Sequence, residues 1–199
     1  EMNVLSLFDG KSSGYTACEL AGIEIGTYYS SEVDKYAIQV SNAIHPNQTR
    51  LGDVTKWREW DIDWSSIDMM VGGPPCQAFS VAGKRLAFDD DRGLLTKTYF
   101  EILRTANPKM VMMENVPGIL SAQKGEVFKY VLSEFNKSGY AVDFIEINSA
   151  LVSAQNRRRI YLLGKRIDDC QGLEYTIDVT KEFINERKNR INVQGRVVV

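Results

Sequence analysis

A thiol, a carboxylate and two guanidinium groups stand where strands should end. Cys76 lies in Val71-Gly72-Gly73-Pro74-Pro75-Cys76-Gln77-Ala78-Phe79-Ser80, directly behind the apolar run Ile67-Asp68-Met69-Met70-Val71. That run reads as a short buried strand stopping at the glycines. Two glycines and two prolines then fix a stiff backbone path. In open α/β sheets ligands bind beyond the carboxyl ends of strands. A thiol held there is placed to act as a nucleophile, because little ordering entropy is left to lose. The competing assignment is a small buried cysteine beside a tight turn. Glu114 closes a second apolar run, Lys109-Met110-Val111-Met112-Met113. It is either an acid for the same chemistry or a strand-end carboxylate paired with a neighbouring cation. Arg157 and Arg159 alternate, so a strand would place both on one face. Arg158 between them is expected on a solvated edge.

The first loop is the candidate cofactor site. Phe8-Asp9-Gly10-x-x-x-Gly14 joins a strand to a helix, which is how α/β folds bind nucleotide-like ligands. Glu32 ends the second strand about 20 residues on, where an acid commonly hydrogen-bonds ribose hydroxyls. Asp53 follows the third strand, where it could meet an adenine amino group. The alternative for both acids is capping of nearby helices. No Gly-Lys-Ser/Thr closes the loop, and the tighter G-x-G-x-x-G fingerprint is absent. Adenosine without a bound polyphosphate therefore fits better than NAD or ATP.

The elements that must position these groups alternate. Strands are expected at Asn3 to Phe8, Gly26 to Ser31, weakly before Asp53, Ile67 to Val71, Lys109 to Met113, Tyr140 to Asn148 and Arg159 to Gly164. Helices are expected at Tyr15 to Ala21, Val33 to Ala43, Leu94 to Thr105 and Val127 to Lys137. The stretch from Asp89 to Gly93 reads as a polar loop. This alternation means an α/β fold with a doubly wound, mostly parallel sheet. The chain has 199 residues, 44% hydrophobic and 25% charged, with a net charge of −2. That suits one well-cored domain and excludes a generic polyanion binder, so basic surface must be local. No apolar run has the length of a membrane span, and no signal peptide is visible. Three widely spaced cysteines, Cys18, Cys76 and Cys170, point to a reducing, cytoplasmic compartment. A single histidine, His45, and no CxxC pair give no metal site.

Phe8-x-Gly10, Glu32, Asp53, Gly73-Pro74-Pro75-Cys76-Gln77, Glu114-Asn115-Val116 and Gln155-x-Arg157-x-Arg159 fall in one order. Together they resemble the catalytic domain of the DNA (cytosine-5)-methyltransferases of phage and bacterial restriction-modification systems, over roughly residues 3 to 164. The resemblance implies a Rossmann-like class I methyltransferase domain over residues 1–166. It implies S-adenosyl-L-methionine as methyl donor, S-adenosyl-L-homocysteine as product, and cytosine carbon 5 in double-stranded DNA as acceptor. Cys76 would add to carbon 6, making the ring nucleophilic at carbon 5. Glu114 would protonate or hydrogen-bond ring nitrogen 3, through a raised carboxyl pKa or a shared proton. Arg157 and Arg159 would orient the cytosine O2 and the catalytic loop. Phe8, Asp9, Gly10, Gly14, Glu32, Val33, Asp53, Val54, Pro74 and Leu95 would surround the donor. Gln77, Ser80, Lys84, Arg85 and Asn115 would face DNA or the flipped base, with Ala78 to Arg92 as a lid hinged at Gly83 and Gly93. Lys84 and Arg85 suit phosphate contacts or ordinary surface charge equally.

Three features depart from the family pattern. Ser12-Ser13 replaces further glycine in the loop, next to Lys11. The sequence ends soon after the arginine strand, where the family continues into a target-recognition region and a final motif. Residues 167–199 are then a remnant or the start of that region, with little capacity for base readout. These departures leave three further readings: an impaired fragment, a regulatory partner completed by a second polypeptide, or an RNA methyltransferase of the same chemistry.

Overall fold

The computed structural model describes residues 1–75, 91–151 and 153–169, residues 91 and 92 by backbone alone. They form two compact units. The first is Glu1–Pro74 with Leu95–Met112; of the second, residues 75, 91–94, 113–151 and 153–169 are described.

The first unit is built on β1 (Met2–Leu7), β2 (Ile25–Ser31), β3 (Thr49–Arg50), β4 (Met69–Gly72) and the start of β5 (Met110–Asn115), in the order β3-β2-β1-β4-β5. β1 pairs in parallel with β2 and β4, and β2 in parallel with β3. Val4, Leu5 and Leu7 of β1 are wholly buried. A central parallel strand covered on both faces favours such an apolar run, which only the buried Ser6 breaks. The helices are α1 (Ser13–Leu20), α2 (Lys35–Ile44) and, from Leu95 onward, α3 (Asp91–Ala106). Asp34 starts α2 by accepting the Tyr36 and Ala37 amides at 2.9 and 2.8 Å, which satisfies two of the donors every helix start leaves open. Cys18 of α1 packs into a cluster with Val4, Tyr28 and Val71. Burial pushes its thiol up, so it behaves as a small apolar side chain.

The second unit carries the end of β5, α4 (Glu126–Lys137), β6 (Tyr140–Asn148) and β7 (Arg158–Arg166), in the order β5-β7-β6. β6 and β7 are antiparallel over their whole length. α4 buries Val127, Phe128, Val131, Leu132 and Phe135, the two-per-turn stripe of an amphipathic helix. Phe128 meets Phe144 of β6 edge to face at 5.2 Å. Gly139, at φ +83, turns the chain from α4 into β6.

The expected α/β class and strand sequence hold. The sheet is parallel in the pairs of β1 to β4 and antiparallel at β6/β7. Two local expectations are corrected. The polar loop placed at Asp89 to Gly93 is already helix from Asp91 onward, and Gly93 is buried inside α3 rather than free to hinge. Arg157 precedes β7 instead of lying on it.

The strand order reverses between β1 and β4: the chain winds one way through β1, β2 and β3, then returns to β4 and β5 beyond β1. The register aligns the ends of three strands, with Leu7 opposite both Ser31 and Gly72. Phe8-Asp9-Gly10, Glu32-Val33 and Gly73-Pro74 therefore leave the sheet along one edge. That is the topological switch point of an open α/β sheet. Helix α1 reaches the sheet this closely because Gly14 has no side chain. A Cβ there would stand 2.8 Å from the Tyr28 hydroxyl and 3.3 Å from Val71 Cγ2. Gly14→Ala is expected to lower unfolding free energy by about 1–3 kcal/mol, read as a lower urea midpoint at unchanged slope.

Candidate active site

Asp9 comes two residues after the end of β1 and is buried, its side chain having no exposure. Its Oδ1 accepts the hydroxyls of Ser6 at 2.6 Å and Tyr28 at 2.8 Å. Its Oδ2 accepts the Ser12 hydroxyl and lies 3.8 Å from Arg50 Nη1. Burial, and next the Asp9 carboxylate, push the Tyr28 phenol far up, so it remains a donor. The Asp9 side chain is thus turned into the protein; what it offers the loop is shape.

That shape is unusual. Phe8, Gly10 and Ser12 have φ of +55, +60 and +63. Only glycine adopts this region freely, and each side-chain-bearing residue there costs roughly 1–2 kcal/mol. The surrounding bonds over-determine it: Asp9 N–H donates to Ser31 O at 3.0 Å, and Ser12 N–H to Asp9 O at 3.1 Å. Gly10 N–H donates to Glu32 Oε2 at 2.7 Å. A Cβ on Gly10 would meet nothing within 4 Å, so the turn presents open backbone at the sheet edge. This cradle fits a nucleoside-like group.

Glu32 and Asp53 do what their alternative assignment expected, and keep capacity beyond it. Glu32 Oε1 accepts the Val33 and Asp34 amides at 2.8 Å each. With Gly10 that fills three of about four lone-pair sites. Asp53 Oδ1 accepts the Thr55 amide at 2.9 Å and hydroxyl at 2.8 Å, capping the 3₁₀ turns Val54–Glu59; Oδ2 takes no part in that cap. The bend to Asp53 is fixed to the end of β2 by Leu51 N–H to Ser30 O and Ser31 Oγ to Gly52 O, both 2.8 Å. Val33 is exposed, Val54 and Pro74 are buried, and Phe8, Gly14 and Leu95 are half-buried. All ten residues expected around the donor belong to the first unit.

In the second unit β5 ends on Glu114 and Asn115. Arg159 Nε is 2.7 Å from Glu114 Oε1, and Arg157 Nη2 is 3.9 Å from the same oxygen. The two arginines thus converge on one carboxylate, Arg159 from β7 and Arg157 from just before it. Arg158 is not simply solvated: it pairs with Glu146 of β6 at 2.5 Å. Asn115 is buried, and its Oδ1 accepts the Val116 amide at 2.9 Å, which starts the turn into Pro117. Cys76, Gln77, Ser80, Lys84 and Arg85 lie outside the described residues. Among the described residues no group of His, Cys, Asp and Glu could hold a metal ion, and no helix is long and apolar enough to cross a membrane.

Sequence reasoning missed Ser6, Ser12, Tyr28, Ser41 and Arg50, which hold the loop from below. Ser6 and Tyr28 carried a signal, polar groups inside expected strands; Ser12 in the loop, Ser41 in α2 and Arg50 in β3 carried none.

A family model described as C-5 cytosine-specific DNA methylase matches residues 2–197. The chain is 35% identical over 195 residues to the orphan methyltransferase M.SPRI of Bacillus phage SPR, covering 96% of this chain and 44% of that protein. It is 34% identical over 195 residues to the type II methyltransferase M.NgoPII of Neisseria gonorrhoeae, covering 97% and 55%. The chain thus spans about half the length of these relatives. Among solved structures, one named as a DNA modification methyltransferase of an E. coli prophage superposes with a TM-score of 0.67 at 23% identity, covering 92% of this chain and 50% of that one. At that identity the likeness establishes the fold.

The Asp53 cap gives a pH signature. The Thr55 amide, and next the Thr55 hydroxyl, hold its carboxyl below the ordinary carboxylate range. A depressed folded pKa stabilises above the unfolded value, near 4, and that contribution is lost as pH falls through the folded value. Asp53→Ala is expected to cost about 1 kcal/mol at pH 7. The gap between variant and parent should close below about pH 4 in parallel denaturation series.

Proposed function

The chain belongs to the C-5 cytosine-specific DNA methylase family, and from that premise we propose that it transfers a methyl group from S-adenosyl-L-methionine to carbon 5 of cytosine in double-stranded DNA. The observation that most supports this reading is the pairing of Arg159 and Arg157 with a single oxygen of Glu114. Among the described residues both pairs fall on Oε1, which would leave Oε2 for a substrate. The open, positive-φ turn at Gly10, flanked by Glu32 and Asp53, supports the donor half.

S-adenosylmethionine would supply an electrophilic methyl on sulfur. The chain's residues would do the rest. Glu32 would offer its remaining lone-pair capacity to ribose hydroxyls, and Asp53 its Oδ2 to the adenine amino group. Phe8, Val33, Val54, Pro74 and Leu95 would supply apolar surface around the donor, and Gly10 the room, while Gly14 lets α1 pack close beneath it.

On the acceptor side the Cys76 thiolate would add to carbon 6, forming an S–C6 bond and moving an electron pair onto the ring. A proton shared between ring nitrogen 3 and Glu114 Oε2 would receive that charge. Arg159 would fix the carboxyl, and Arg157 would lie toward the cytosine O2. Carbon 5 would then take the methyl as S-adenosyl-L-homocysteine leaves and lose its own proton to a base; the proton at nitrogen 3 would return to Glu114 as the S–C6 bond breaks, restoring the ring and the thiolate. A paired cytosine hides these atoms, so the base must leave the stack. Gln77, Ser80 and Asn115 would hold the extruded nucleotide, with Lys84 and Arg85 on phosphate. Residues 1–166 would carry this chemistry, in a cytoplasmic setting.

The deciding measurement is transfer of labelled methyl to unmethylated mixed-sequence duplex DNA, with Cys76→Ser and structured RNA alongside. Label on DNA cytosine is expected for the parent. Cys76→Ser should lose turnover by at least about 10⁴-fold while keeping donor affinity. Label on RNA alone, or loss of donor binding in Cys76→Ser, would overturn the assignment.

A further inference from the structure

Four residues beneath the Gly10 turn, Arg50, Ser41, Ser12 and Asp9, form a chain whose direction is fixed by proton count. Ser12 has one hydroxyl proton and three neighbours: Asp9, Ser41 and Gln48 Oε1, the last at 3.0 Å. A carboxylate only accepts, so Ser12 donates to Asp9. Ser41 then donates to Ser12. Ser41 in turn accepts from Arg50 Nη2 at 2.6 Å and from Gln48 Nε2 at 3.1 Å. The order is Arg50 to Ser41 to Ser12 to Asp9, every donor aimed the same way and ending on a carboxylate. Such chains polarise their members and resist piecemeal opening.

Arg50 is anchored well enough to drive it. From β3 its Nη1 donates to Ser30 Oγ at 3.0 Å, and its Nε and Nη2 donate to Asn42 Oδ1 at 3.1 and 2.9 Å. One guanidinium therefore fastens β2 and α2 and faces Asp9 at 3.8 Å. Ser41 and Ser12 are both wholly buried, so no competing water reaches the middle of the chain. At its far end lie Phe8 and Ser12, two side-chain-bearing residues with positive φ. Such backbone persists only where its surroundings impose it.

We propose that Arg50 is a positioning residue for the donor site, acting through Ser41 and Ser12 to hold the Phe8–Ser12 turn in its receiving shape. The proposal rests on the donor reading above. It also explains why serine can stand at position 12: the hydroxyl recovers, through Asp9 and Ser41, what the left-handed backbone costs.

The test uses the full chain with Arg50→Met, Ser41→Ala, Ser12→Gly and the Ser12→Gly/Ser41→Ala double variant. Ser12→Gly removes the hydroxyl and relaxes the backbone demand, so it folds even if Arg50→Met does not. Two quantities are read: hydrogen exchange at the Gly10 and Ser12 amides, and calorimetric affinity for S-adenosylhomocysteine. Each single variant is expected to lower protection of those two amides about tenfold relative to the Leu5 amide of β1. S-adenosylhomocysteine should bind about tenfold more weakly, with donor KM raised and kcat at saturating donor held. The double variant should bind no worse than the weaker single, because both cut one chain. Unchanged protection, losses shared equally by β1, or additive losses of affinity would each overturn the proposal. A parent that binds no S-adenosylhomocysteine would sink the donor reading, and amide exchange would still decide the role of Arg50.

Discussion

A carboxylate removed from water must be answered by donors on every side, and Asp9 makes that demand at the centre of the first unit. Leaving a buried charge uncompensated costs several kcal/mol. Tyr28, Ser6, Ser12 and Arg50 supply the compensation from β2, β1, the loop and β3. Each of these residues is out of place by simple patterning. A tyrosine and a serine occupy buried strand positions that prefer aliphatic side chains. An arginine ends a two-residue strand. All become intelligible once the Asp9 carboxylate is fixed two residues past β1. The same constraint reaches Gly14, since Tyr28 can aim its hydroxyl at Asp9 only if α1 leaves room above it.

The acids at the sheet edge show how a side chain can cap the backbone and still keep lone pairs for a ligand. A carboxylate has four lone-pair directions, and a backbone cap uses one or two. Glu32 spends three on Gly10, Val33 and Asp34, which couples the first loop to the start of α2. Asp53 uses only Oδ1 on Thr55. Capping and ligand binding were posed as alternatives in the sequence, yet their geometry lets both hold. A capped acid is also a better ligand group, because its rotamer is already set before any partner arrives.

The legible part of the chain was its periodicity. Apolar runs bounded by glycine and proline located each strand within about two residues, because a buried parallel strand tolerates little else. Glu114 with Arg157 and Arg159 was legible for a related reason: acids and bases at strand ends are few, and alternation fixes their face. The Asp9 network was not legible. Ser12, Ser41 and Arg50 are separated by 29 and 9 residues, and no local pattern distinguishes a buried serine from an exposed one. The helix start at Asp91 was hidden because three aspartates before a glycine resemble a turn. Gly93 inside α3 shows tertiary packing overriding local propensity.

The three consecutive arginines make the same point at the level of chemistry. Composition treats Arg157, Arg158 and Arg159 as one basic run. The strand period separates them. Arg158 faces Glu146 across the hairpin, while Arg159 faces Glu114 on β5. Arg157, just before β7, hangs over the same Glu114 oxygen at longer range and is half exposed. A one-residue slip of β7 would exchange these partners and leave Glu114 facing a different side chain. The β6/β7 pairing runs unbroken from Tyr140↔Arg166 to Asn148↔Arg158, and that long ladder is what makes such a slip expensive. The register of a hairpin therefore decides which arginine meets the acid, and brings both cations to one oxygen of Glu114.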